Sequence, residues 1–188
     1  NLKKQYSVGW MANVDAGGGI EDRYNAKLFG LRFSPRTRLT VYGNLNNITD
    51  LSSPDGNGNW NSNVNPVGTI DRHSGGIDLL LQDKEKKIKT THSLSVVHNK
   101  EDIDMNQNST TFFQSGNVYQ RKEWNTQQEK LYVNFNNSFQ YIPRYGFYFT
   151  VSPYVNYSKE EYDSWTRSAD MEANISEKYK GCLLYTSD

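Results

Sequence analysis

Asp55, Asn57 and Asn59 stand at alternate positions, the spacing of the first three ligands in a calcium-binding loop. The sixth position is Trp60 where the sharp turn needs glycine, and the twelfth is Pro66 where a bidentate glutamate belongs. The stretch therefore reads as a Gly/Asn-rich surface loop. Glu101, Asp102 and Asp104 gather hard oxygen ligands for a divalent ion, or equally form a solvated acidic segment. His73, His92 and His98 include no pair four residues apart, and the single Cys182 has no partner thiol, so no metal site is expected. His92 and His98 fall on one strand face, well separated. Four Asn-X-Ser/Thr triplets, at Asn47, Asn108, Asn156 and Asn174, are chance matches in an Asn-rich chain. A phosphate-cradling glycine loop, a nucleophile elbow and an acid–base pair are all missing from the sequence, so neither an enzyme nor a cofactor is expected. What remains is aromatic. Trp60, Tyr119, Trp124 and Trp165 are candidates for stacking on a sugar or peptide, and equally for packing strand ends and loops.

The elements that must position these residues are strands. In residues 129–158, Leu131, Val133, Phe135, Phe139 and Tyr141 alternate with Tyr132, Asn134, Asn136, Ser138 and Gln140. After a break at Ile142-Pro143-Arg144-Tyr145-Gly146 the alternation resumes, with Phe147, Phe149, Val151, Val155 and Tyr157 on one face. Successive strand residues point to opposite sides, so this is a hairpin with one apolar and one wet face. Pro153 sits inside the second arm, where it cannot donate to the ladder, and a bulge or a local gap in pairing is expected there.

The same period runs through the rest of the chain. Strands are expected at residues 6–16, 23–33, 38–46, 71–81 and 88–98. Gly17-Gly18-Gly19 and Ser34-Pro35-Arg36-Thr37 read as turns. Long polar loops are expected at residues 47–69 and 100–127, and a third beyond residue 158 that contains Trp165. Short connections (34–37, 82–87 and 142–146) fall at one end of the sheet. Long ones fall at the other, apart from the short 17–22 link.

Of the 188 residues only 35% are hydrophobic, yet the chain holds 13 tyrosines. That is sparse for one sizeable packed core but too aromatic for disorder. No run of about 18 apolar residues is present, so a transmembrane helix is excluded. Twenty-one basic and 21 acidic residues cancel, giving no reason to expect a nucleic-acid partner.

One architecture joins these features: arms of roughly 9–11 residues, one face apolar and the other polar, with connection lengths segregated by end. The stretches from His73 to Lys84, from Gly116 to Tyr119 and from Val151 to Tyr157 resemble the barrel of the outer-membrane β-barrel family of Bacteroidota, which is similar to TonB-dependent receptors. The resemblance spans residues 6–181 and rests on strand and turn patterns. It implies an all-β fold, an antiparallel meander of about 7–8 strands, as a fragment of a large transmembrane barrel in the outer membrane of a Gram-negative bacterium. It further implies binding or uptake of an extracellular solute. The implied partners are outer-membrane lipid, lipopolysaccharide, a plug domain and a TonB-type energising complex; neither plug nor TonB box is visible in the sequence. Residues 182–188, Cys-Leu-Leu-Tyr-Thr-Ser-Asp, resemble a translated sequencing adapter, which would place the end of the native barrel segment at residue 181.

Two other readings stand beside this one. A soluble all-β carbohydrate- or ligand-binding module would bury Leu131, Val133, Phe135, Phe147, Phe149 and Val151 under a second sheet. A structural or adhesive barrel without transport would share every strand feature.

Overall fold

The computed structural model describes residues 8–62, 65–114, 116–172 and 181–185. These form only strands and connections: β1 (Gly9–Gly18), β2 (Tyr24–Phe33), β3 (Thr37–Asn46), β4 (Ser53–Pro54), β5 (Trp60–Asn61), β6 (Thr69–Gln82), β7 (Ile88–Phe113), β8 (Gly116–Tyr141), β9 (Phe149–Val151), β10 (Tyr154–Glu172) and β11 (Gly181–Tyr185). Nine of them make one antiparallel sheet in the order β1-β2-β3-β6-β7-β8-β10-β11, with β9 also alongside β8. β4 and β5 form a separate small ribbon. The sheet is an open meander whose edges are β1 and β11.

The expected strands are present, except that Phe147 and Tyr148 lie in the connection before β9 rather than in the second arm of the hairpin, and three expectations about connections are corrected. The first turn is not at the glycines. Gly17 and Gly18 pair with Asn25 and Tyr24, and the reversal falls on Glu21 and Asp22, both in the left-handed region (φ 59° and 57°). Tyr6 and Ser7, assigned to the first strand, lie outside the described residues.

The second correction concerns residues 100–127. They are the outer halves of β7 and β8, which pair without a slip from Ile88↔Tyr141 to Phe113↔Gly116. Each strand is 26 residues, or about 85 Å at roughly 3.3 Å per residue. The third concerns Trp165, which lies in β10 opposite Asn125 rather than in a loop. In these segments both faces are polar, so the hydrophobic contrast that reveals a strand is absent. Cross-strand pairs take its place. Gln120 Nε2 donates to Asp170 Oδ1 at 2.9 Å, and Lys130 meets Glu101 at 3.0 Å.

At Pro153 the pairing has a gap and no bulge. Phe139↔Val151 and Asn136↔Tyr154 keep one register across it, and the Asn137 amide still donates to the Pro153 carbonyl at 2.9 Å. The tail assigned to an adapter supplies β11, whose Gly181–Tyr185 ladder runs along Ser168–Ser164. Residues 186–188 and the Asn174 triplet lie outside the described residues.

Register carries one apolar face across the sheet. Val14 and Leu28 are paired, then Val41 and Ile77, Ile77 and Leu94, Leu94 and Phe135, and Phe135 and Val155. Nothing among the described residues packs over it: Ile77 is 46% exposed, Phe135 38% and Val155 63%. Among the described residues the buried apolar side chains are Phe29 and Ile70, both on the opposite, polar face. There the Tyr42 ring lies over Gly76, its direct cross-strand partner. A Cβ at Gly76 would clash with that ring and stand 2.8 Å from the Leu94 carbonyl, so the position requires glycine.

Candidate functional site

The polar face gathers its own roof. Along β3, Thr40, Tyr42, Asn44 and Asn46 share the face that holds Phe29 on β2 and Asp78 on β6. The chain leaving β3 folds back over this face instead of projecting from the sheet end. Asn46 organises the return. Its Nδ2 donates to the Asp50 carbonyl and to Asn44 Oδ1, each at 2.9 Å, and its Oδ1 accepts the Asp50 amide at 2.9 Å. Asn44 Nδ2 donates to the Ser52 carbonyl at 3.0 Å. Both side-chain amides are buried and both are hydrogen-bonded, as burial demands, whereas the buried Ser52 Oγ beside them has no partner.

Charge pins the far side of the returning segment. Lys27 of β2 forms an ion pair with Asp50, and its ammonium stands 5.4 Å from the centre of the Trp60 ring. Partial burial tends to raise the Asp50 pKa. Hydrogen bonds from Lys27 and Ser52 outweigh it and hold the carboxyl below the usual carboxylate range. Arg38 donates to the Gly56 carbonyl at the tip. Gly58, at φ +86°, lies directly on the Phe29 ring, where a Cβ would clash.

The Asp55 turn is a self-capped ribbon. Asp55 Oδ1 accepts the amides of Asn57 (2.7 Å) and Asn59 (2.9 Å), and Oδ2 accepts Asn59 Nδ2 at 3.0 Å. Those bonds from Asn59 and Asn57 hold the Asp55 carboxyl below its ordinary pKa. Its oxygens serve the turn rather than an ion. Among the described residues no group of three or more His, Cys, Asp or Glu side chains is placed to hold a metal. The acidic trio divides between faces: Glu101 pairs with Lys130, while Asn125 Nδ2 donates to both Asp102 and Asp104 at 2.8 Å.

A cleft of about 310 Å³ remains between the tip and the sheet, lined by Arg38, Thr40, Tyr42 and Pro54 together with Asp78, Thr91 and Ser93. The Tyr42 phenol stands in the cleft as a donor and acceptor.

The four aromatic candidates do not converge. Trp60 belongs to the docked segment. Trp124 lies on the polar face of β8 with the Lys122 ammonium 5.4 Å from its ring centre. Tyr119 and Trp165 lie on the other face, opposite Thr110 and Asn125. Sequence reasoning missed Lys27, Arg38, Asn44, Asn46, Asp50 and Asp78. The only signal was that the β3 alternation placed Asn44 and Asn46 on the wet side.

The histidines are closer than the strand pattern suggested. His73 and His98 are direct cross-strand partners, with ring centres 6.1 Å apart. Tyr24 Oη lies 2.9 Å from His73 Nε2, and Glu129 Oε1 lies 2.7 Å from His98 Nε2. The row stands where the apolar face ends, on the side of the long hairpin. No family model, curated protein or solved structure matches this chain.

Proposed function

We propose that this chain is part of an outer-membrane β-barrel, of the kind similar to TonB-dependent receptors, that binds or takes up an extracellular solute without catalysing a reaction. The observation that carries the reading is the inverted distribution of polarity. The apolar face is continuous and open, while the polar face holds the buried amides and the docked segment. Water disfavours an open apolar surface of this extent, and lipid does not. The apolar stretches from His73 to Leu81, Ile88 to His98 and Leu131 to Tyr141 are each about the length of a tilted strand crossing a bilayer, roughly 9–11 residues.

Rims at both ends fit the same setting. Trp10 with Arg32 marks one end, their groups 5.3 Å apart, and the Tyr24–His73–His98–Glu129 row marks the other. Short turns lie at the first end. The long hairpin rises about 50 Å beyond the second, counting residues 99–113 of β7 at roughly 3.3 Å each. In this reading lipid and lipopolysaccharide meet the open face. A plug and an energising complex belong to the complete protein.

The test is to recover the complete reading frame, express it in a Gram-negative host, and place single cysteines at Leu94 and Phe135 or at Ser95 and Asn134. The barrel requires the protein in the outer-membrane fraction. Cysteines at the first pair should react only with lipid-soluble maleimide, and those at the second with a water-soluble reagent. A soluble product with the first pair protected from both reagents would replace the barrel by a two-sheet binding module.

A further inference from the structure

We propose that the cleft between the docked segment and the polar face binds a small zwitterion, of the class of free amino acids. The proposal deepens the solute-binding reading above and rests on it for the direction of transport, not for binding itself. Arg38 and Asp78 are the pair that carries it. They occupy diagonal positions on one face, because Arg38 lies opposite Leu80 and Thr40 lies opposite Asp78. Such neighbours stand roughly 7–8 Å apart between Cα atoms. Yet they form no ion pair with one another.

Arg38 gives one donor to the Gly56 carbonyl and has four more in its fork. Asp78, half-buried, accepts no hydrogen bond and joins no ion pair among the described residues. An α-amino acid presents a carboxylate and an ammonium on adjacent carbons. Placed between these two side chains, it would take the Arg38 fork on its carboxylate and the Asp78 carboxylate on its ammonium. Thr40, Thr91, Ser93 and the Tyr42 phenol supply neutral donors and acceptors around it, and Pro54 and Leu80 offer apolar contact to a side chain. The volume, about 310 Å³, is at the lower end for small-molecule sites. A ligand with one charge leaves the other side chain unmatched, which is the basis of selectivity.

The experiment is saturation-transfer NMR on the purified intact protein with L-alanine, ethanolamine, propionate and glucose as probes. L-Alanine should bind at least tenfold more tightly than either single-charge analogue, and glucose should give no saturable signal. Asp78→Asn and Arg38→Gln should each weaken L-alanine at least tenfold. Equal binding of ethanolamine or propionate, or unchanged affinity in both variants, would overturn the proposal. The probe comparison needs no variant, so it stands even where a substitution impairs folding. Zwitterion binding by a protein that stays out of membranes would sink the barrel and keep the site; membrane insertion without L-alanine binding would do the reverse.

Discussion

At the residue scale, the molecule depends on a few side chains that fasten one segment to the polar face of the sheet. Asn46 is the hub. Replacing it with leucine keeps the volume but strands the Asp50 amide and leaves the Asp50 carbonyl only the longer bond from Asn44 Nδ2 at 3.3 Å. A buried unpaired backbone group costs about 1–3 kcal/mol. The expected result for Asn46→Leu is release of the segment, read as new protease cleavage between residues 52 and 60 with the strand ladder intact by hydrogen exchange. Asp50 adds a pH dependence of defined sign. Its folded pKa lies below the ordinary value, so its contribution is present above that ordinary value and is lost as pH falls through the folded one. Docking should therefore loosen on acidification below the carboxylate range, and Asp50→Asn should remove that step; protease sensitivity against pH reads both. Gly76→Val belongs here too. It sets a branched side chain against Tyr42 and the Leu94 carbonyl and should cost at least the 1–3 kcal/mol typical of overpacking, measured by urea unfolding in detergent.

At the element scale, the long hairpin and the proline gap make opposite predictions. The β7–β8 ladder beyond Glu101↔Gln128 adds no member to the open apolar face between Ile88 and His98. Replacing residues 106–123 by Asn-Gly, the preferred two-residue turn, should leave the sheet folded with unchanged heat-modifiable mobility on a gel. At Pro153 the ladder lacks the amide that would return the Asn137 bond. Pro153→Val supplies it, and the expected gain is about 0.5–1.5 kcal/mol, the net worth of one hydrogen bond. Amide exchange would show it as new protection at residue 153.

At the scale of the whole molecule, the sheet is a wall with two different sides. An open antiparallel sheet of this width, apolar on its free face, is incomplete in water, and its edges β1 and β11 leave ladder groups unpaired. In the proposed barrel both demands would be met together, with further strands closing the wall and lipid covering it, which the paired-cysteine experiment addresses. Closure would also turn the docked segment inward. It would then narrow the passage beside β2, β3 and β6, and the cleft at its tip would face whatever passes.

The sequence by itself determined the strands wherever an apolar and a polar side chain alternate. Leu131 to Tyr141 and Ile88 to His98 are legible because burial against lipid or core requires a period of two. It also determined two of the short turns, since Ser34-Pro35-Arg36 and Asp83 carry their own local hydrogen bonds. It did not reveal residues 99–127 or 159–172 as strands. Their stability comes from partners far along the chain, and a sequence polar on both faces has no period to read. The candidate site was still less legible. Asn44, Asn46 and Asp50 look like ordinary loop-edge polar residues, and Lys27, Arg38 and Asp78 like solvated charges. Only the tertiary structure decided that the segment after β3 returns over the sheet. That return rests on many weak bonds between residues up to about thirty positions apart, and their joint geometry exists only once the register of β2, β3 and β6 is set.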